Sequence, residues 1–336
     1  MKKLLIPLVI LALVMFATSV VKRTCEKGEC SIDPRRAAAG RSDQLYVEVS
    51  ALGNLDYFYD HKLGLKTAGE MMGVRTEYVG PAEYDIPAMI TAFEQALAKP
   101  NLKGILVVGF EDSLIPVINK AVEQGVPVIT LDADLPKSKR LAFVGTGNYN
   151  AGYQGGEKLA ELIGRRGKVA IMTRAGQSNL DERIRGYREA LGKYGGIQIV
   201  QVIDTQSDAV ISAQAATAVL RKYPDLAGIA CVEAAGGVGA AIAASEAGVA
   251  GKLKIVAMDR GNDILEQIGK GVISATVVQQ TALMPIYGVQ ILYNLANSKI
   301  PITSDNAKAG VTGIPASVDT GVVIVDKSNY EYFLRK

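Results

Sequence analysis

Short apolar runs alternate along the chain with longer segments in which apolar residues recur at helical spacing. From Gln44 onward the runs are rich in Val, Ile and Leu, and between two of them Met89, Phe93 and Leu97 fall on one helical face. Strands that alternate with helices in this way favour an α/β fold with parallel sheets.

Two apolar runs, at 126–131 and 253–257, end abruptly on the carboxylates Asp132 and Asp259. Each is preceded, at a similar distance, by another apolar run and by a helical segment, so the chain contains two copies of one βαβαβ half. A repeat of this length predicts two similar lobes rather than a solenoid of short repeats. Since ligands bind beyond the carboxyl ends of strands in open α/β sheets, we expect a binding site in the cleft between the lobes.

Composition narrows the possible functions. The chain has 336 residues, 49% of them hydrophobic and 21% charged, which is enough for two domains with real cores. Its net charge of +3 is too small to indicate nucleic-acid binding. A single histidine disfavours both a catalytic triad and a His-ligated zinc, and the Gly-rich turn at 145–150 lacks the third glycine of a dinucleotide fingerprint. We therefore predict no catalysis, no metal and no cofactor.

Residues 1–21 form a targeting segment. Lys2 and Lys3 give it a basic start, an apolar stretch follows, and the small residues at 17–19 are a plausible cleavage site. The apolar stretch is also nearly long enough to span a bilayer, so a cleaved signal peptide and a retained membrane anchor both remain open. In either case the body of the protein is exported and extracytoplasmic.

The segment 22–43 is polar, charged and alanine-rich, and it reads as a flexible linker. Its two cysteines, Cys25 and Cys30, could form a disulfide in an oxidising compartment or remain free, because spacing alone does not decide connectivity. Cys231 lies inside an apolar strand and is interpreted as a packed core thiol.

Polar and aromatic side chains collect where the predicted strands end. Acids, amides and an arginine at these positions suit a neutral polyhydroxyl ligand, because each hydroxyl group both donates and accepts a hydrogen bond. Bonds with charged partners are worth roughly 1.5–3 kcal/mol each, and an aromatic ring can cover the C–H face of a sugar. The candidate ligand-binding residues are Asn54, Tyr57, Phe58, Asp132, Gln177, Asn179, Arg183, Glu233, Asp259 and Gln279.

Five motifs together resemble the sugar-binding proteins of bacterial ABC transporters, in the ribose- and galactose-type group. They lie at 126–132, 143–152, 181–187, 255–259 and 275–279. The resemblance implies the type I periplasmic binding protein fold, in which two Rossmann-like lobes with parallel sheets are joined by a three-segment hinge. It also implies that the lobes close around the sugar.

The resemblance implies domain bounds and a function. The N-terminal lobe would comprise 44–145 plus 281–305, and the C-terminal lobe 146–280 plus 306–330, with the last crossing near 302–311. The expected function is that of a monomeric extracytoplasmic solute-binding protein, which captures a monosaccharide or polyol and delivers it to the permease of an ABC importer. The alternative is a membrane-tethered sugar-sensing protein that presents its ligand to a signalling receptor.

The family's ligand roles carry over to individual residues. Asn54, Tyr57 and Phe58 match contacts of the N-terminal lobe, and Asp132 matches the aspartate that accepts sugar hydroxyls. In the other half, the matching residues are Asn179, Arg183, Asp259 and Gln279. The sequence also departs from ribose binders, at Gly109, Ala133, Ser207 and Glu233, so ribose itself is not implied.

Structural interpretations compete with several of these roles. Tyr57 and Phe58 could be core aromatics of the first helix, and Arg183 could pair with Asp181 or Glu182 on a solvated face. Other polar residues near the strand ends are expected to have structural roles. Asp134 is interpreted as a turn residue, Glu111, Asp112 and Asn148 as helix caps, and His61 as structural or surface-exposed.

Overall fold

The computed structural model describes residues 42–55, 57–298 and 300–335, together with two short strands near the N-terminus. These strands, β1 (Cys25–Glu26) and β2 (Glu29–Cys30), pair antiparallel with Cys25 opposite Cys30. The predicted targeting segment at 1–21 and the side chains of the two cysteines lie outside the described part. Within the described residues, no helix is both long and apolar enough to cross a membrane.

The N-terminal lobe is built on a six-stranded sheet. Its strands are β3 (Leu45–Val49), β4 (Arg75–Val79), β5 (Leu102–Val108), β6 (Val128–Leu131), β7 (Ala142–Gly145) and β13 (Ser317–Asp319). They lie in the order β4-β3-β5-β6-β7-β13, and all neighbours are parallel. The central strands are fully buried, which explains their continuous apolar runs.

The helices of this lobe are α1 (Tyr57–Met72), α2 (Ile86–Leu97), α3 (Ile115–Glu123) and, after the chain has crossed to the other lobe and back, α9 (Leu283–Asn297). Asp85 caps α2 as its position predicts, since its carboxylate accepts the backbone N–H of Ala88 at 2.9 Å. Met284 and Leu292 of α9 are buried in the same core as β3 and β5. This helix therefore belongs to the N-terminal lobe despite its late position in the chain.

The C-terminal lobe repeats the arrangement. Its strands are β8 (Arg166–Thr173), β9 (Gly196–Asp204), β10 (Leu226–Cys231), β11 (Lys254–Met258), β12 (Ala275–Gln279) and β14 (Val322–Asp326). They lie in the order β9-β8-β10-β11-β12-β14, and only β14 runs antiparallel to its neighbour. The shared strand order confirms the predicted α/β fold with two lobes.

Helices cover both faces of the second sheet. They are α4 (Asn148–Leu162), α5 (Ser178–Gly192), α6 (Ala209–Lys222), α7 (Ala234–Glu246), α8 (Asn262–Gly269) and a 3-10 turn at Tyr330–Phe333. Asp208 caps α6 by accepting the backbone N–H of Ile211 at 2.8 Å. Cys231 is a buried free thiol in the core between the sheet and these helices, as predicted.

The chain passes between the lobes at 145–148, 279–283 and 319–322. The predicted position of the third crossing, near 302–311 with a lobe boundary at 306, is wrong. Residues Ser317–Asp319 pair with β7 of the N-terminal sheet, so the chain stays in that lobe up to residue 319. This strand is three residues long and mostly exposed, so it carries no hydrophobic period that could have revealed it.

Candidate functional site

Asp132 and Asp259 lie directly after β6 and β11, at the carboxyl ends of the two sheets. Both have left-handed backbone conformations, with φ of 62° and 68°. The two carboxylates are near enough to interact, because the charge of Asp132 contributes to raising the pKa of Asp259. One acidic group from each lobe therefore lies within electrostatic range of the other, and a ligand site between them stays a prediction.

Tyr57, at the start of α1, contacts the carboxylate of Asp132 and lies within electrostatic range of Asp259. Its hydroxyl donates to Oδ1 of Asp132 at 2.6 Å. Burial in the cleft, and then the charges of Asp132 and Asp259, raise the pKa of Tyr57 well above its ordinary value. The phenol therefore stays protonated and acts as a donor next to acids from both lobes.

Arg183 is the centre of the polar network in the C-terminal lobe. Its side chain is buried, and its Nη1 donates to the carbonyl of Val232 at 2.9 Å. Its Nε donates to Oδ1 of Asn148 at 2.8 Å, and its Nη2 donates to Oε1 of Gln279 at 3.0 Å. The alternative of a solvated ion pair describes Arg185 instead, which pairs with Glu182.

The amide of Gln279 links Arg183 to Asp259 through two hydrogen bonds. Its oxygen accepts from Arg183 while its Nε2 donates to Oδ1 of Asp259 at 2.8 Å, which fixes the orientation of the amide. Burial raises the pKa of Asp259 to about 6. Arg183 and Gln279 lower this pKa in part, and the charges of Asp132 and Glu233 raise it further. Near neutral pH this carboxyl group can therefore take up a proton or accept a hydrogen bond from a ligand.

Glu233 occupies a structural position. Its carboxylate accepts the backbone N–H groups of Ala235 at 2.8 Å and Gly236 at 2.9 Å, and so caps α7. The hydroxyl of Thr205 also donates to it, at 2.9 Å. These bonds use much of its accepting capacity, and a direct role in ligand binding stays a prediction.

The remaining predicted residues differ in exposure. Phe58 is a core residue, 2% exposed, which agrees with the structural interpretation of that aromatic. Asn54 and Gln177 are exposed, Asn179 is half-buried, and no hydrogen bond joins these three side chains to the described part of the chain. The structure brings together Tyr57, Asp132, Arg183, Asp259 and Gln279.

Asn148 and Phe110 were not among the candidate ligand-binding residues, but each contacts one of them. Asn148 is not the cap of α4, because Gly147 precedes the helix and the Asn148 side chain accepts from Arg183 instead. Phe110 follows β5, and its ring centroid lies 6.1 Å from that of Phe58 and 5.6 Å from that of Tyr84. It packs against the core of the N-terminal lobe, and a role in binding the ligand is a prediction.

A buried ion pair lies behind Tyr57. Nδ1 of His61 is 2.6 Å from Oε1 of Glu48, both side chains are 0% exposed, and the ring centroids of His61 and Tyr57 are 5.9 Å apart. Burial opposes the charged imidazole, but Glu48, Asp132 and Asp60 raise the pKa of His61 above its ordinary value. Glu48 is the one charged residue in the strand Leu45–Val49, a signal that could have revealed the pair.

The assembled groups suit hydroxyl recognition. Two carboxylates accept, while a phenol, a guanidinium and an amide donate, and a ligand with several hydroxyl groups offers both functions. Within 42–55, 57–298 and 300–335, no three His, Cys, Asp or Glu side chains are arranged to hold a metal ion.

Comparison with known proteins gives consistent matches. The family profile described as "Periplasmic binding protein domain" matches residues 47–300. The D-allose-binding periplasmic protein of Escherichia coli K12 is 27% identical over 272 residues, which cover 78% of this chain and 87% of that protein. The structure of AraP, an arabinose binding protein from Geobacillus stearothermophilus, is 36% identical with a TM-score of 0.82, covering 88% of this chain and 100% of that one. A sugar-binding protein of a sugar ABC transporter from Bacillus halodurans is 34% identical with a TM-score of 0.82, covering 87% and 100%.

Proposed function

Because the chain belongs to the periplasmic binding protein family, we propose that it captures a monosaccharide between its two lobes and delivers it to the permease of an ABC importer. The body of the protein works outside the cytoplasm and carries out no chemistry on the sugar. Tyr57, Asp132, Arg183, Asp259 and Gln279 bind the ligand.

The single observation that carries this proposal is the meeting of polar groups from both lobes. Tyr57 bonds to Asp132 in the N-terminal lobe, and Gln279 bonds to both Arg183 and Asp259 in the C-terminal lobe. The charges of Asp259 and Arg183 act on Tyr57, and that of Asp132 acts on Asp259, across the two lobes. Bonds to a ligand from both sides favour the closed form over the open form, which is how a ligand shifts such an equilibrium.

The charges of the site favour a neutral sugar. Two carboxylates, Asp132 and Asp259, face one guanidinium, so an acidic sugar would meet net repulsion, whereas hydroxyl groups would find charged acceptors. The similarity to an arabinose binding protein and to a D-allose-binding protein directs attention to pentoses first, then to hexoses and polyols.

A thermal-shift screen of the purified protein tests the proposal. A ligand that binds only the folded state raises the melting temperature by mass action, by an amount that grows with concentration. We expect a shift with one or a few pentoses, hexoses or polyols and none with nucleosides or sugar acids. A shift confined to nucleosides would overturn the ligand class.

The apolar segment at 1–21 favours a second candidate, in which an uncleaved anchor keeps the protein at the membrane as a sugar sensor. Deletion of the gene in the native host separates the two functions. Loss of uptake of the radiolabelled sugar supports delivery to an importer. Unchanged uptake with loss of the transcriptional response to that sugar supports the sensor.

A further inference from the structure

Asp60 is a buried acid on α1 that takes no part in the polar network of the site. Its side chain is 6% exposed and accepts from two arginines that are distant in sequence. Arg260 donates to it through Nε at 2.9 Å and also through Nη2, and Arg335 donates through Nη2 at 3.1 Å. The hydroxyl of Thr281, in the second crossing, lies 3.3 Å from the same carboxylate.

Both arginines belong to the C-terminal lobe. Arg260 follows Asp259 after β11, and its Nη1 donates to the carbonyl of Phe333 at 3.4 Å. Phe333 packs against the core of that lobe, and the backbone N–H of Arg335 donates to Oδ1 of Asn262 at 3.3 Å. The C-terminal residues 330–335 therefore move with the C-terminal lobe and carry Arg335 to Asp60.

Asp60 itself is fixed to the N-terminal lobe. Its neighbours on α1, Phe58 and Leu65, are buried in the core of that lobe. Gly64 lies so close to the second crossing that a Cβ at this position would be 2.0 Å from the carbonyl oxygen of Ala282. Because α1 belongs to the N-terminal lobe, any opening that carries residues 260 and 335 away from it breaks its bonds to the two arginines.

We propose that Asp60, Arg260 and Arg335, the interlobe ion cluster, stabilise the closed form and so raise sugar affinity without touching the sugar. The inference rests on the proposed function, because it assumes that the ligand selects the closed form. The apparent dissociation constant equals the intrinsic constant divided by the fraction of protein that is competent to bind. Loss of the cluster lowers that fraction and speeds release of the sugar.

The cluster and the ligand site share the same two elements. Asp60 lies one helical turn after Tyr57 on α1, and Arg260 lies next to Asp259 after β11. Rotation of the lobes that brings Tyr57 towards Asp259 therefore brings Asp60 towards Arg260 as well. Closure around the sugar and formation of the ion pairs are one motion.

The two arginines of the ion cluster are partly exposed to solvent, so they can separate from Asp60 when the lobes open. The side chain of Arg260 is 26% exposed and that of Arg335 is 18% exposed, while Asp60 is nearly enclosed. Burial opposes ionisation of Asp60, but Arg260 and Arg335 hold the pKa of this carboxyl below its ordinary value. The cluster therefore stays ionised, and its removal leaves two guanidinium groups without their common acceptor.

Asp60→Asn tests the proposal, with Asp134→Asn as the matched control. Asp134 accepts from Arg140 at 2.6 Å through both Nε and Nη2, but this pair lies wholly within the N-terminal lobe. The probe is L-arabinose, or the sugar that gives the largest thermal shift, with affinity measured by calorimetry and release by stopped flow. We expect Asp60→Asn to weaken binding about 10-fold, mainly through faster release, and Asp134→Asn to lower the melting temperature while binding stays within about twofold.

Arg335→Gln removes one of the two arginines that the C-terminal lobe contributes to the interlobe ion cluster. It should weaken binding by about threefold, and in combination with Asp60→Asn it should add almost nothing, because the two residues act as a unit. This variant also keeps the test open if Asp60→Asn does not fold. Full additivity of the two losses, or wild-type affinity in either variant, would overturn the proposal.

Spin labels on the surface of each lobe separate this inference from the function on which it rests. Without sugar, Asp60→Asn should shift the interlobe distances measured by pulsed electron resonance to longer values than Asp134→Asn does. Unchanged distances would refute the ion cluster. Failure of the wild-type protein to bind any sugar would refute the proposed function, and the distances would still decide whether the cluster holds the lobes together.

Discussion

Asp132 and Asp259 occupy equivalent positions in the two lobes and make the same backbone contact. The N–H of Asp132 donates to the carbonyl of Val144 on β7 at 3.0 Å, and the N–H of Asp259 donates to the carbonyl of Val277 on β12 at 2.9 Å. Each turn rotates its carboxylate off the end of the strand, at φ of 62° and 68°. The two aspartates are thus held by two copies of one local structure, one in each lobe.

This geometry predicts an unusual order of stability at Asp132. A non-glycine residue with positive φ costs roughly 1 kcal/mol, which glycine avoids and which aspartate offsets by local hydrogen bonds. We expect Asp132→Ala to be less stable than Asp132→Gly by about 1 kcal/mol in urea unfolding without ligand. At Lys66, on the exposed face of α1, the same pair of substitutions should give the reverse order, since alanine is the better helix former.

Affinity should fall on acidification through Asp259. With a pKa of about 6 in the free protein, this carboxyl is ionised above pH 7 and takes up a proton below pH 6. Sugar hydroxyl groups favour the ionised form, so binding below that range must expel a proton, and affinity falls by up to about tenfold per pH unit. Calorimetry from pH 8 to pH 5 measures this, and the profile of Asp259→Asn should be flatter. Binding that strengthens at low pH would contradict the assignment.

Arg183 should be intolerant even of lysine. Three separate acceptors, on Asn148, Val232 and Gln279, need the planar guanidinium, and an ammonium group at this depth cannot reach them all. We expect Arg183→Lys to cost about 2–3 kcal/mol of unfolding free energy and to weaken binding. Arg185→Lys, on the exposed side of the same helix, should change stability by less than about 0.5 kcal/mol. Equal effects at the two positions would refute the central role of Arg183.

The buried pair of His61 and Glu48 makes stability depend on pH. The pKa of His61 is raised in the folded protein, where Glu48 overcomes the opposing effect of burial. Its contribution is therefore complete below the unfolded value of about 6.5 and is lost as pH rises through the folded value. Urea midpoints should fall from pH 6 to pH 9, and Glu48→Gln should flatten that fall. An unchanged slope in Glu48→Gln would exclude the pair as its source.

Much of the fold followed from pattern, because each buried parallel strand is a continuous apolar run and the two halves repeat it. The positions of Asp132 and Asp259 at the strand ends were predictable for the same reason, since each follows directly on such a run. Arg183 was recognisable through resemblance, but its bonds to Asn148 and Gln279 depend on how three separate elements meet. Asp60 gave no local signal at all, because its partners Arg260 and Arg335 come close to it only when both lobes and the C-terminal segment are in place.

The helix caps also show that local hydrogen bonds can be predicted from the sequence more readily than contacts between distant residues. Asp85 and Asp208 were predictable, because each bonds to its own helix a few residues later. Glu233 caps a helix in the same way, yet its position at a strand end made it a ligand candidate. The sequence did not indicate strand β13, because its partner β7 lies more than half the chain away. A strand of three residues is also too short to show an alternation of apolar and polar positions.

Titration of one sugar into two variants, one for each lobe, shows whether both lobes bind the same ligand. In calorimetry the wild-type protein should bind one L-arabinose, or one molecule of the sugar with the largest thermal shift, per chain. Asp132→Ala and Asp259→Ala should each weaken binding by about 10- to 100-fold while circular dichroism stays that of the folded protein. Wild-type affinity in either variant would contradict a site shared between the two lobes.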